Sequence, residues 1–63
     1  MLSKNLREIR IKRGYNQGKL AKLSGINRQT IVNIETDVQK NPRLDTLIAL
    51  SKALKVSITT LIK

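Results

Sequence analysis

The stretch Asn16–Glu35 reads N-Q-G-K-L-A-K-L-S-G-I-N-R-Q-T-I-V-N-I-E, and it decides the fold of the chain. Asparagine is a preferred N-cap residue, so Asn16 and Asn27 each predict the start of a short helix. Gly25 lies between the two segments and predicts a turn, because glycine accepts the positive φ that often follows a helix. The two predicted helices span Gln17–Ser24 and Arg28–Glu35.

Three further helices are predicted, one before this pair and two after it. Leu2, Leu6 and Ile9 recur at helical spacing, so the first helix is expected from Leu2 or Ser3 to Arg13. The polar stretch from Thr36 to Pro42 predicts a loop. The remaining predicted helices are Leu44–Leu54, with Leu44, Leu47, Ile48, Leu50 and Leu54 facing inward, and Ile58–Ile62, capped by Ser57. The sequence thus predicts one all-α domain of five short helices over residues 1–63.

The charge of the chain is strongly positive and unevenly distributed. The chain has thirteen Lys and Arg residues and four acidic residues, for a net charge of +9. Glu8 is the only acidic residue before Glu35. Such a field attracts polyanions and accelerates encounter with them. Small basic domains also bind acidic proteins or lipid, so charge alone leaves the partner open.

The composition argues against several function classes. The chain has no Cys and no His, so thiolate metal sites and His-based catalysis are excluded, and we expect no cofactor, no metal and no enzymatic activity. A 63-residue helical domain also has little room for a small-molecule pocket. No apolar run approaches a membrane span and the N-terminus lacks the apolar stretch of a signal peptide, so we expect a cytoplasmic protein without a membrane partner.

Two short helices joined by a glycine-containing turn form a helix-turn-helix unit, whose second helix can lie in a DNA major groove. A set of residues around this unit extends the pattern along the chain: Leu6, Ile9, Arg10, Gln17, Leu20, Ala21, Gly25, Ile26, Asn27, Ile31, Ile34, Glu35, Pro42, Leu44–Leu47, Leu54, Val56–Ile58 and Leu61–Ile62. Their joint spacing resembles the DNA-binding domains of the lambda-repressor and Cro type, the XRE-like helix-turn-helix family. The resemblance covers roughly residues 2–62. It implies a compact five-helix fold that binds double-stranded DNA sequence-specifically as a transcriptional regulator, either a repressor of Cro type or a controller protein.

Four positions depart from this family pattern. Asp37 and Lys55 stand where the family often has glycine, so we expect positive φ at both. Gly18 lowers the helix propensity of its segment by about 1 kcal/mol relative to alanine. Leu23 stands where the family is usually polar, and it is expected either to be partly exposed or to extend the core.

The resemblance makes the helix Arg28–Glu35 the recognition helix, and its N-terminal residues the first candidates for reading bases. Arg28 can bond guanine O6 and N7, and Gln29 can bond adenine N6 and N7. Asn33 lies one turn after Gln29 on the same face, and Val32 suits contact with a thymine methyl group. The alternative for the polar three is an ordinary solvated helix face, and for Val32 partial burial.

Six further residues are candidates for contacts with the phosphate backbone. Asn16 and Gln17 lie at a helix N-terminus, where free N–H groups and the helix dipole favour an anion. The others are Asn27, Thr36, Lys40 and Arg43. Plain capping is the alternative for Asn16, and free surface charge is the alternative for Lys40 and Arg43. The resemblance also implies that Arg10 and Glu35 form a structural ion pair, against the alternative of two unrelated surface charges.

A single domain of this size covers few base pairs, so we expect a homodimer that binds a near-palindromic operator, with a dimer surface around Val56–Ile62. Two other function classes stay open. One is a protein-interaction module on the same scaffold, such as an antitoxin or a bridging factor. The other is a binder of RNA or anionic lipid, although Tyr15 is the only aromatic residue available for stacking on RNA bases.

Overall fold

The computed structural model describes residues 1–63 and contains five helices and no strand. The helices are α1 (Leu2–Lys12), α2 (Gln17–Ser24), α3 (Arg28–Glu35), α4 (Leu44–Leu54) and α5 (Ile58–Ile62). The all-α class and the bounds of α2 to α5 agree with the sequence prediction. The predicted end of α1 was one residue too late.

The core is formed by seven aliphatic side chains that are at most 1% exposed, and every helix contributes at least one of them. They are Leu6, Leu20, Ile31, Ile34, Leu50, Leu54 and Leu61. α1 packs against α3 and α5, and α2 packs against α3 and α4. The helix α3 is therefore held from the inside by two neighbours, which fixes the direction of its outer face.

Side-chain caps begin three of the five helices. Asn16 Oδ1 accepts the N–H of Lys19 at 2.7 Å, Asn27 Oδ1 accepts that of Gln29 at 2.7 Å, and Ser57 Oγ accepts that of Thr60 at 3.1 Å. Gly25 ends α2 with φ of 73°, in the left-handed region that glycine enters without a Cβ penalty. The caps and this turn place the N-terminus of α3 directly after the C-terminus of α2.

One expectation about burial and one about a helix end were wrong. Leu44 does not face inward: it is 64% exposed, because it lies in the first turn of α4 while the fully buried residues of that helix are Leu50 and Leu54. Arg13 does not continue α1 but follows it as an exposed C-cap. Its Nε donates to the carbonyl of Leu54 at 3.0 Å, so its charge satisfies the C-terminal end of α4.

Lys55 ends α4 with φ of 59°, a conformation that costs a residue with a Cβ roughly 1 kcal/mol or more. We expect Lys55→Gly to raise the free energy of unfolding by about 1 kcal/mol. Lys55→Ala is the matched control, because it removes the same charge and keeps the Cβ. Urea denaturation of both variants measures the difference. Equal stability of the two variants would contradict the explanation.

Candidate nucleic-acid interface

The outer face of α3 carries the four residues predicted to read bases. Arg28 and Gln29 are exposed, whereas Val32 and Asn33 are partly buried. The opposite face holds Ile31, Ile34 and Glu35 in the interior. The side chain of Arg28 forms no hydrogen bond or ion pair within the protein, so its five N–H donors remain available to a ligand.

Gln29 and Asn33 are joined along this face. Gln29 Nε2 donates to Asn33 Oδ1 at 3.0 Å, across one helical turn. The spacing of four residues was a signal for such a contact in the sequence, because residues i and i+4 are neighbours on a helix surface. Their side chains therefore present a joint surface rather than two independent amides.

The N-terminus of α2 lies beside α3 and has unpaired N–H groups. A helix leaves its first N–H groups without partners inside the helix, and Asn16 caps only that of Lys19. The side chain of Gln17 is engaged elsewhere, since its Nε2 donates to Glu35 Oε1 at 3.2 Å. An anion at this end would thus be met by main-chain N–H groups and the helix dipole.

Arg10 and Glu35 form a two-point ion pair in the interior. Arg10 Nε and Nη2 donate to the two carboxylate oxygens of Glu35 at 2.7 and 3.0 Å, and the side chains are only 12% and 3% exposed. Arg10 Nη1 also donates to the carbonyl of Tyr15 at 2.8 Å. Together with Gln17, this network connects α1, the turn before α2, the first residue of α2 and the last residue of α3. The links through Tyr15 and Gln17 had no signal in the sequence.

The loop between α3 and α4 contains three residues predicted to contact phosphate, and each has a partner within the protein. The Thr36 hydroxyl donates to the carbonyl of Val32 at 2.8 Å. Lys40 pairs with Asp37, and Arg43 Nε lies 3.7 Å from Asp45. The Lys40 and Arg43 side chains are more than two-thirds exposed, and exposed pairs of this kind contribute at most about 1 kcal/mol, so they open readily.

Every acidic side chain is paired with a cation, so the whole net charge resides on cations without an acidic partner. These nine are Arg7, Lys12, Arg13, Lys19, Lys22, Arg28, Lys52, Lys55 and Lys63. Lys19, Lys22 and Arg28 belong to the helix-turn-helix segment itself. This part of the surface therefore attracts anions without first breaking an ion pair.

The structure contains neither a membrane-spanning helix nor a cluster of metal-binding side chains. The longest helices, α1 and α4, have 11 residues each, and no helix is long and apolar enough to cross a membrane. No group of three or more acidic residues is placed to hold a metal ion.

Comparison with known proteins places the chain among helix-turn-helix proteins. A family model described as helix-turn-helix matches residues 6–61. The transcriptional regulator SinR of Bacillus subtilis is 31% identical over 62 residues, which are 98% of this chain and 56% of SinR. The control protein C.SmaI of Serratia marcescens is 37% identical over 62 residues, 98% of this chain and 73% of that protein. This chain thus spans little more than half the length of SinR.

A solved structure extends this similarity to the backbone. The crystal structure of SinR, described as the master regulator for biofilm formation, in complex with DNA superimposes with a TM-score of 0.96 at 30% sequence identity. The superposition covers 100% of both chains. The arrangement of α2 and α3 is therefore shared with a protein whose structure was determined on DNA.

Proposed function

Because this chain belongs to the helix-turn-helix family, we propose that it binds double-stranded DNA sequence-specifically and acts as a transcriptional regulator, of repressor or controller type. The observation that carries this proposal is the outer face of α3, where Arg28, Gln29 and Asn33 lie outside the core, while the last residue of the same helix is bonded to Gln17 at the N-terminus of α2. The similarity to SinR, which was crystallised with DNA, supports DNA as the ligand.

In the proposed complex, α3 lies in the major groove and its N-terminal residues contact base edges. Arg28 donates to O6 and N7 of a guanine, and Gln29 meets an adenine. Val32 packs against a thymine methyl group with the part of its side chain that is exposed. These contacts determine sequence preference, whereas contacts to phosphate fix register.

Phosphate contacts are proposed on both sides of α3. On one side, the N-terminus of α2 offers N–H groups at Gln17 and its neighbours, with Asn16 as their cap. On the other side, Lys40 and Arg43 exchange their exposed acidic partners for phosphate oxygens. Asn27 and Thr36 add polar groups at the two ends of α3.

The proposed assembly is a homodimer on a near-palindromic operator, with half-sites about 34–36 Å apart. The segment Val56–Ile62 remains our candidate for the dimer surface, since Ile62 is half-exposed there. We propose that the protein acts in the cytoplasm, because its relatives are bacterial and bacterial DNA lies there, and that it has no catalytic role.

The proposal is tested by selecting bound sites from random duplexes with the wild-type protein and with Arg28→Ala. We expect a two-fold-symmetric site from the wild type. Arg28→Ala should lose the preference for guanine at one position of each half-site and weaken binding to the wild-type site by about 1–3 kcal/mol.

Lys52→Ala is the matched control, because it removes one unpaired charge from α4, outside both the proposed DNA contacts and the candidate dimer surface. We expect it to leave the selected sequence unchanged. Absence of any selected sequence with the wild-type protein would refute DNA recognition. A uniform loss of affinity in Arg28→Ala, with the selected sequence intact, would show that Arg28 meets phosphate instead of a base.

A further inference from the structure

The two amide side chains on the outer face of α3 are hydrogen-bonded to each other. Gln29 Nε2 donates to Asn33 Oδ1 at 3.0 Å, and neither side chain has any other hydrogen bond within the protein. Asn33 uses its main-chain carbonyl, and not its side chain, to accept the N–H of Gln39. Within the protein the Asn33 side chain is thus bonded to Gln29 alone, through its oxygen, and its NH₂ group has no partner.

We propose that Asn33 is a positioning residue for Gln29, and that the pair reads a single adenine rather than two separate bases. The inference rests on the proposed function, since it assumes that α3 enters the major groove. It assigns the two residues different roles, with Gln29 in contact with the base and Asn33 acting through Gln29.

The need for positioning arises from the symmetry of the glutamine amide. Rotation about the last side-chain torsion exchanges the oxygen and the NH₂ group, and both orientations are normally populated. In the structure Asn33 Oδ1 faces Gln29, and because this oxygen can only accept a hydrogen bond, Gln29 turns its NH₂ group toward it. This arrangement leaves Gln29 Oε1 and one Nε2–H free, whereas reversing both amides together would keep a hydrogen bond and leave Gln29 with two free N–H groups instead.

The free pair of groups on Gln29 matches one base in the major groove. Adenine offers the N6 amino group as a donor and N7 as an acceptor, which the free Oε1 and the free N–H of Gln29 satisfy together. Guanine offers two acceptors, O6 and N7, so one of them would face Gln29 Oε1 without a proton between them. A glutamine free to rotate lacks this fixed discrimination. The orientation found with Asn33 Oδ1 as the acceptor is thus the one that disfavours guanine.

The test compares the sites selected from random duplexes by the wild type, Gln29→Ala, Asn33→Ala, the double variant and Asn33→Asp. Asn33→Asp is the conservative variant, because it keeps an oxygen acceptor for Gln29 and adds a negative charge. Circular dichroism verifies that each variant is folded, which we expect because Gln29 is exposed and Asn33 is only partly buried.

We expect the wild type to select adenine at one position and Gln29→Ala to lose that preference by roughly tenfold. Asn33→Ala should weaken the preference at the same position by roughly twofold, the bias that an i,i+4 amide pair supplies on a helix. It should have no further effect there once Gln29 is alanine. Asn33→Asp should keep the preference for adenine at this position. It should bind all sequences more weakly, since its carboxylate repels phosphate.

Two outcomes would overturn the inference while the proposed function stands. One is a change at a different base pair in Asn33→Ala than in Gln29→Ala, which would make Asn33 a reader in its own right. The other is selection of guanine at the Gln29 position by the wild type. Failure of the wild type to select any sequence would instead refute the proposed function itself, so the two failures are distinguishable.

Discussion

Replacing Arg10 with methionine is expected to lower the free energy of unfolding by about 3–5 kcal/mol, because it leaves a buried carboxylate without its counter-ion. Glu35 is only 3% exposed, and Gln17 would be its one remaining side-chain donor. A domain of 63 residues is stabilised by roughly 3–9 kcal/mol in total, so this single change approaches the whole stability of the fold. Urea denaturation followed by circular dichroism measures it.

A double-mutant cycle separates the ion pair from the packing around it. Glu35→Met removes the carboxylate instead, and the double variant replaces both charges by apolar side chains of similar volume. We expect the double variant to be more stable than Arg10→Met, because no buried charge is left unpaired. A coupling energy below about 0.5 kcal/mol would mean that the two residues contribute independently, and would contradict the interpretation.

The ion pair matters for function because of the elements it joins. Glu35 is the last residue of α3, and Gln17, bonded to the same carboxylate, is the first residue of α2. The carboxylate therefore links the N-terminus proposed to meet phosphate with the helix proposed to read bases. Displacement of either end changes the register of the other, which is why we regard the network as part of the interface although it is buried.

Local signals explain why most of the fold could be predicted from the sequence. Asn16, Asn27 and Ser57 cap helices through bonds to N–H groups two or three residues away. Gly25 specifies its turn by its own backbone freedom. Such features need no knowledge of the rest of the chain, so the bounds of α2, α3, α4 and α5 followed from residue type and spacing.

The errors and omissions involve contacts between residues distant in the chain. Arg13 bonds the carbonyl of Leu54, 41 positions away, and helical spacing alone suggested that it continued α1. Exposure of Leu44 depends on where the neighbouring helices end, which periodicity does not report. Gln17 looked free for phosphate because its acceptor, Glu35, lies 18 positions further on. The sequence thus proposes which residues form the candidate site, but it does not show which of their polar groups remain available to a ligand.

Because Lys40 and Arg43 are available to bind phosphate, we expect DNA binding to depend strongly on salt concentration. If the dimer neutralises about six phosphates, the logarithm of its affinity should fall with the logarithm of salt concentration with a slope of about −5. Affinity would then drop roughly 10³-fold between about 50 and 200 mM salt, because bound counterions are released from the duplex. Fluorescence anisotropy with a labelled operator measures the slope.

Two variants identify which cations produce that slope. Lys40→Ala should make it shallower by about one unit per protomer. Asp37→Asn should strengthen binding at low salt for all sequences, because Lys40 no longer needs to leave a carboxylate before it meets phosphate. Asparagine also tolerates the φ of 65° found at position 37, so the fold should be undisturbed. An unchanged slope in Lys40→Ala, together with unchanged affinity in Asp37→Asn, would remove the loop before α4 from the proposed interface and leave the N-terminus of α2 as the main phosphate anchor.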